Sequence, residues 1–394
     1  MRKTICIFNP EHDMALASSS RYYMTPVNIV RMKSDLSLLP IWYLEMSDNE
    51  ILVLAKDYDI PFVDNLKKFF CCLSNVSLIS SLKGSFDDLQ PWGWDLALLS
   101  RVMVSGMRLQ KLPSFGDIEE IKRLSSRCNA VKLLSLLNLA LGKEEPKSFC
   151  LSSLEVVKCF IEENGKMMLK APWSGSGRGV RKIDLELTDS DSGWVRRVIR
   201  TQGCVIGEPF YKKVIDFAME YSCVDSDVKF IGYSVFETDS LGAYKCNILD
   251  SDEALEKIIC SYVSRRELDE VKKQLEKQLC ELYAKEYDGV LGVDMMICKD
   301  DNGYWIHPCV EVNVRMNMGI VARRFYDRFV SADSKGVYHV EHYFSKSEAV
   351  AKDCSMKKLY PLVIINGRIE SGYMSLTAVN DDTRFQIYVL VVKK

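Results

Sequence analysis

The residues best suited to chemistry are one lysine ahead of a glycine-rich loop and two acidic strands far down the chain. The loop reads Lys170-Ala171-Pro172-Trp173-Ser174-Gly175-Ser176-Gly177-Arg178-Gly179-Val180. Small residues there let backbone N–H groups approach an anion, and glycine can adopt the positive φ that such a loop needs. A lysine ending the preceding strand could set its charge on the same phosphates. The loop is not a Walker A motif or a dinucleotide fingerprint, because no Gly-Lys-Ser/Thr closes it and a strand, not a helix, follows. A plain hairpin with the same composition is the competing reading.

The acidic strands are Gly292-Val293-Asp294-Met295-Met296 and Val310-Glu311-Val312-Asn313-Val314-Arg315. Strand side chains alternate faces, so Glu311, Asn313 and Arg315 point one way and the three valines the other. If a hairpin pairs the two strands, Asp294 projects toward the same polar face. Two carboxylates and an amide oxygen suit Mg²⁺, which takes oxygen ligands and keeps water and substrate phosphates. Arg315 then offers a fixed positive fork to a phosphate or a developing oxyanion. The same pattern also fits the wet face of a half-buried strand.

These groups need elements to hold them. Strand-like runs at 5–8, 51–54, 76–79 and 96–99 alternate with helical or loop stretches, which predicts an α/β layer with a parallel sheet. Helical spacing covers 118–124 and 130–141, closed by Gly142. A small α+β unit is expected next: helix 153–163, strand 167–170, the loop, strand 180–187, helix 194–201 and strand 204–208. Long antiparallel strands follow at 217–224 and 229–238, then one charged helix at 254–287. Strands 290–298 and 304–312 are joined by the hairpin turn Asp300-Asp301-Asn302-Gly303. The tail reads as β-rich, with strands at 359–366 and 385–392.

Ordered this way, the chain resembles the ATP-grasp superfamily over about residues 115–330. Members carry a lysine-led glycine loop on a lid-like domain, then an acidic-hydrophobic hinge, then an Asp strand and a Glu-x-Asn strand. The resemblance implies an α/β and α+β molecule: a pre-ATP-grasp α/β lobe (1–115), a helical segment with the lid subdomain (116–207), and a C-terminal subdomain with a β-rich tail (208–394), the two α+β lobes sandwiching ATP. It implies that Lys170 contacts ATP phosphates and that Ser174, Gly175, Ser176 and Gly177 form a flap over them. Glu208 would accept from the adenine amino group, main-chain groups of Pro209 and Tyr211 would hold the ring edge, and Asp216 would meet the ribose. Asp294, Glu311 and Asn313 match the Mg²⁺ ligands, with Mn²⁺ an alternative ion. Arg315 matches an arginine facing the substrate anion, and Arg127 is the nearest match to an upstream phosphate contact.

The activity so implied is an ATP-dependent carboxylate–amine ligase working through an acylphosphate, on small-molecule carboxylate and amine substrates, with Lys170 and Arg315 acting on the reacting groups. An ATP-dependent phosphotransferase with an alcohol acceptor and a non-catalytic nucleotide-binding protein are the alternatives. Outside the resemblance, the polar cluster Asn9-Pro10-Glu11-His12-Asp13 follows the first strand, where open α/β layers bind ligands, although a capped helix start would look alike. His307 reads as a structural histidine with its hydrogen bonds met.

Bulk properties agree with this picture. The chain has 394 residues, 47% hydrophobic and 27% charged, enough for two or three lobes of a globular protein. A net charge of -2 gives no pointer to nucleic acid or an anionic membrane. No signal region or long apolar span is evident, so a cytoplasmic protein is expected, and a homodimer is left open. The 14 cysteines follow no CxxC spacing and read as reduced thiols, and the 4 histidines are not spaced like a zinc site.

Overall fold

The computed structural model describes residues 2–44, 50–174, 179–238 and 244–394. The N-terminal lobe runs β1 (Lys3–Ile7), α1 (His12–Ser18), α2 (Val27–Asp35), β2 (Glu50–Leu54), α3 (Ile60–Phe69), β3 (Val76–Ile79), β4 (Gly84–Phe86), β5 (Asp88–Pro91), α4 (Leu96–Val104) and β6 (Met107–Leu109). Strands β3, β2, β1 and β5 form a parallel sheet in that order, as the alternation of runs predicts. One expected strand is a helix instead. Asp95 accepts from the Leu98 amide and starts α4, which buries Leu98, Leu99 and Val102. A four-residue apolar run cannot distinguish that helical stripe from a strand. The sheet's fourth strand is β5.

Two capped helices lead out of this lobe. Ser114 starts α5 (Phe115–Leu124), Ser126 starts α6 (Arg127–Leu141), and Gly142 closes α6 at a φ of 64°. The small sheet then follows as β7 (Phe149–Leu151), α7 (Leu154–Asn164), β8 (Met167–Lys170), β9 (Val180–Ile183), α8 (Asp189–Gln202) and β10 (Val205–Pro209). Its order is β7-β10-β8-β9, antiparallel throughout. Helices α7 and α8 cover one side, burying Val157, Phe160, Val195 and Val198 with Met167, Leu169 and Val205.

The remainder builds one nine-stranded sheet. In chain order it comprises β11 (Lys213–Val224), β12 (Asp227–Thr238), β13 (Tyr244–Leu249), α9 (Asp252–Ile259), α10 (Arg265–Leu282), β14 (Gly289–Asp300), β15 (Gly303–Asn313), α11 (Met318–Phe329), β16 (Ser334–His342), α12 (Glu348–Leu359), β17 (Val363–Ile365), β18 (Arg368–Ser375) and β19 (Phe385–Lys393). The strand order is β15-β14-β11-β12-β13-β16-β19-β18-β17. The stretch 254–287 is two helices, not one, because Ser264 caps a new start by accepting from the Glu267 amide. The expected strand at 359–366 shrinks to β17, since α12 runs through Leu359.

The two faces of this sheet have different partners. Phe217, Met219, Tyr221, Val293, Met295 and Ile297 are buried with α6, α9 and α10. On another core, α11 carries Phe325 and Phe329 into the N-terminal lobe, where both rings meet Trp42 edge-on at 5.5 and 5.1 Å. That contact seats the first lobe beside the polar face of β11, β14 and β15. Among the described residues no helix is long and apolar enough to cross a membrane.

Candidate active site

Strand register places the acidic residues. The turn residues Asp301 and Asn302 join β14 to β15, and Asp294 stands directly across from Glu311, Gly292 from Asn313. Directly paired residues share a face, so these carboxylates and the amide converge as the alternation predicts. Between Asp294 and Met296 the register shifts: Met296 pairs with His307, leaving Pro308, Cys309 and Val310 opposite Met295. The shift inserts an even number of residues, which keeps His307 on the face of Glu311. On the neighbouring strand, Asp216 and Glu220 pair with Met296 and Gly292 and complete that face.

Charges here are closely balanced. Asn313 Nδ2 donates to Asp294 Oδ2 at 3.0 Å. Burial first, and then the Glu311 charge, push the Asp294 carboxyl up to about 7. Arg127, at the start of α6, donates from Nη2 to both Glu311 oxygens at 2.8 Å. Its Nη1 reaches the Ala171 carbonyl and Ser174 Oγ, each at 2.7 Å. The upstream arginine thus ties the loop after β8 to the acidic strand.

Arg315 is not free to face a ligand alone. It forms a bidentate pair with Asp13, Nε to Oδ1 at 2.9 Å and Nη2 to Oδ2 at 2.7 Å, and Nη2 also donates to Asn313 Oδ1 at 3.0 Å. Burial raises Asp13, but the Arg315 charge and hydrogen bonds, joined by the charges of His12 and Arg127, together outweigh it and hold the carboxyl low. The N-terminal polar cluster therefore splits between two jobs. Asn9 braces the loop after β5 through the Gly93 carbonyl at 2.8 Å, and Asp13 reaches the site. Neither side chain caps α1.

A second group lies along β8 and β10. Lys170 and Glu208, both buried, form an ion pair at 2.5 Å, and Ser148 Oγ donates to Glu208 at 3.1 Å. Burial raises the Glu208 carboxyl, while the charges of Lys170 and His307 and its hydrogen bonds bring it below the usual range. The Tyr211 ring lies 5.6 Å from His307 and 5.3 Å from Trp305. The Tyr211 carbonyl accepts from the Lys213 amide at 3.0 Å. Asp216 is bound by Lys213 Nζ and by Thr238 Oγ1, the latter at 3.1 Å. Pro209 ends β10 opposite Met167. Gly175, Ser176 and Gly177 of the expected flap lie outside the described residues.

His307 departs from its expected reading. It is fully buried, yet neither ring nitrogen has a hydrogen-bond partner among the described residues. Burial first, partly opposed by Glu208, pulls its pKa down to about 4. Glu220 was not singled out in the sequence. It is buried beneath Asp294, accepts from Asn317 Nδ2 at 2.8 Å, and burial pushes it up to about 8. Gly292 leaves the space it occupies, since a Cβ there would collide with the Glu220 carboxylate. Its position two residues from Ala218 and four from Asp216 on one strand was the available signal.

A narrow cleft joins all three parts of the molecule: Asp13 from the first lobe, Trp173 and Ser174 from the loop, Glu311 and Asn313 from the large sheet. No known family profile matches the sequence, and no curated protein matches it. Solved structures do. Staphylococcus aureus N5-carboxyaminoimidazole synthetase complexed with ADP aligns with a TM-score of 0.50 at 12% identity, covering 100% of this chain and 94% of that one. The Aspergillus clavatus N5-carboxyaminoimidazole synthase, with ADP and 5-aminoimidazole ribonucleotide, gives 0.49 at 12%, covering 100% and 94%. Campylobacter jejuni biotin carboxylase, in a β-γ-ATP complex, gives 0.48 at 12%, covering 100% and 87%. With the parallel sheet of the first lobe, the small four-stranded sheet and the large antiparallel sheet in this order, the chain has the ATP-grasp fold.

Proposed function

We propose that the protein is an ATP-dependent ligase that joins a small-molecule carboxylate to an amine through an acylphosphate. The observation that carries this is the face shared by Asp294, Glu311 and Asn313, roofed by Arg127 and the loop that begins at Lys170. Two facing carboxylates, one of them reluctant to ionise beside the other, form an oxygen donor set that fits Mg²⁺ or Mn²⁺. Asp294, Glu311 and Asn313 would hold that ion, which would supply positive charge against the phosphates of ATP. The S. aureus enzyme of the same fold was solved with ADP, which supports a nucleotide in this cleft.

Within that reading, Lys170 and Ser174 hold the phosphates, Glu208 accepts from the adenine amino group, and main-chain groups of Pro209 and Tyr211 meet the ring edge. Asp216 takes the ribose hydroxyls. The substrate carboxylate attacks the γ-phosphorus, the bond to the β,γ-bridging oxygen breaks, and ADP leaves. The amine then attacks the acyl carbon, loses a proton and displaces phosphate. Arg315, held in place by Asp13, faces the oxyanion of that second step, a contribution of about 3–4 kcal/mol for a well-placed donor.

The test is ADP and phosphate release with Mg²⁺ over a panel of carboxylates, with and without amines. Coupled release of both products is expected, and Glu311→Gln should lower it about 100-fold while its circular dichroism remains that of the folded protein. Full turnover in Glu311→Gln would remove the metal assignment. ADP formed without amine, together with a stable phosphorylated product, would reassign the protein as a phosphotransferase.

A further inference from the structure

Three cysteines that are scattered in sequence meet in space. Cys128 lies in the first turn of α6, Cys150 on β7, and Cys204 just before β10. All three are free thiols, and their sulfurs lie within 4.8 Å of one another. The Cys128 and Cys204 sulfurs are 3.3 Å apart. Three thiolates bound tetrahedrally to one zinc at about 2.3 Å sit about 3.8 Å from each other, so modest rotamer changes suffice. Among the described residues this is the only group of three or more His, Cys, Asp or Glu side chains brought this close together.

The three sulfurs are in direct contact and their thiols respond unequally. Contacts with Cys150 and then Cys204 pull the Cys128 thiol down, while contact with Cys128 pushes Cys150 and Cys204 up. The N-terminus of α6 adds positive potential at Cys128, as helix starts do for reactive thiols. Cys150 is exposed and the other two half-buried, which leaves a path for an ion and room for a water as fourth ligand.

We propose that Cys128, Cys150 and Cys204 form a thiolate site for a soft divalent cation, Zn²⁺, that fastens the start of α6 to β7 and β10 of the small sheet. Thiolate donors select such ions over Mg²⁺, which prefers oxygen. On binding, each thiol releases its proton to solvent. The position has a consequence for the neighbouring site, because Cys128 adjoins Arg127, the residue that holds Glu311 and Ser174. The cation would fix the base from which that arginine reaches. The site stands on its own donors and does not depend on the ligase reading.

The experiment is a Co²⁺ titration of the full chain, reduced with a non-thiol phosphine and stripped of metal. One Co²⁺ per chain is expected, with near-ultraviolet sulfur-to-cobalt charge transfer and visible bands of a tetrahedral ion, both bleached by Zn²⁺. Cys128→Ser, Cys150→Ser and Cys204→Ser should each lose the charge-transfer band, and Cys71→Ser/Cys72→Ser should keep it. Cys150→Ser, at an exposed position, guards against loss of folding, which circular dichroism checks in all variants. No charge-transfer band in the folded wild type overturns the proposal, and so does a band that survives all three substitutions. A Cys128–Cys204 disulfide whose reduction restores no metal binding also overturns it.

Discussion

Arg127 holds Glu311 with a single nitrogen, Nη2 lying 2.8 Å from each carboxylate oxygen. The guanidinium is buried, whereas the Glu311 side chain keeps 27% of its surface exposed. Its second amino group bonds the Ala171 carbonyl and Ser174 hydroxyl, so one side chain sets the distance between loop and acidic strand. Arg127→Ala should destabilise the fold by about 3 kcal/mol, the low end of the range for breaking a buried pair, because Glu311 keeps contact with solvent. Arg127→Lys should recover part of that but not nucleotide affinity, because a lysine has no planar fork for both contacts. Urea unfolding and calorimetry with ATP check both statements, and wild-type stability in Arg127→Ala would contradict the pairing.

The carboxylates beneath this pair predict a pH dependence. Asp294 is raised to about 7 and Glu220 to about 8, in both cases chiefly by burial. A carboxyl whose folded pKa exceeds its unfolded one binds its proton more tightly when folded. The stability it contributes is complete below pH about 4 and is lost as pH rises through the folded value. Melting temperatures without metal should therefore carry a falling component between pH about 4 and 8. Asp294→Asn should remove its part below pH 7, leaving the Glu220 part. Mg²⁺ should offset the loss in the wild type, since it favours ionised Asp294. An unchanged pH profile in Asp294→Asn would count against the shift.

His307 gives a prediction of opposite sign for stability and binding. Both ring nitrogens lack partners among the described residues, and leaving a buried polar group unpaired costs about 1–3 kcal/mol. The ring faces the charges of Glu208 and Lys170 and packs on Tyr211. His307→Leu should raise the stability of the nucleotide-free protein by about 1 kcal/mol and weaken ATP binding. Lower stability in that variant would show that the ring has a partner, and unchanged affinity would place it outside the nucleotide contact.

How far the sequence foretold this site depends on what kind of constraint placed each residue. Asp294 and Glu311 were legible because alternation fixes the face, and the register shift between Met296 and Asp294 adds an even number of residues and so preserves it. The strand ending at Lys170 was bounded correctly for the same local reason. Asp13 was legible only as one member of an ambiguous polar cluster. Its pairing with Arg315 spans 302 positions, and no local pattern encodes such a contact. Glu220 was hidden inside a stretch read only as a long antiparallel strand, and the extra residues opposite Met295 carry no turn signal. Residues 96–99 became helix because the Asp95 cap outweighed a run of four apolar residues. The helix spanning 254–287 was overextended because the Ser264 cap lay inside a continuous amphipathic pattern.

The Lys170–Glu208 pair separates binding from folding. Both side chains are buried, with 2.5 Å between Lys170 Nζ and Glu208 Oε2. Lys170→Ala removes the cation and leaves the carboxylate enclosed, which should cost about 3–5 kcal/mol of stability. Lost ATP binding in that variant alone would therefore be ambiguous. The double substitution Lys170→Met/Glu208→Gln removes both charges, and neutral replacement of a buried pair is often close to neutral in stability. That variant should melt near the wild-type temperature yet bind ATP at least about ten-fold more weakly, a change of roughly 1.4 kcal/mol. The wild-type protein should show the tighter isotherm in the same buffer. ATP affinity retained by the stable double variant would exclude Lys170 and Glu208 as nucleotide contacts, leaving their ion pair a purely structural one.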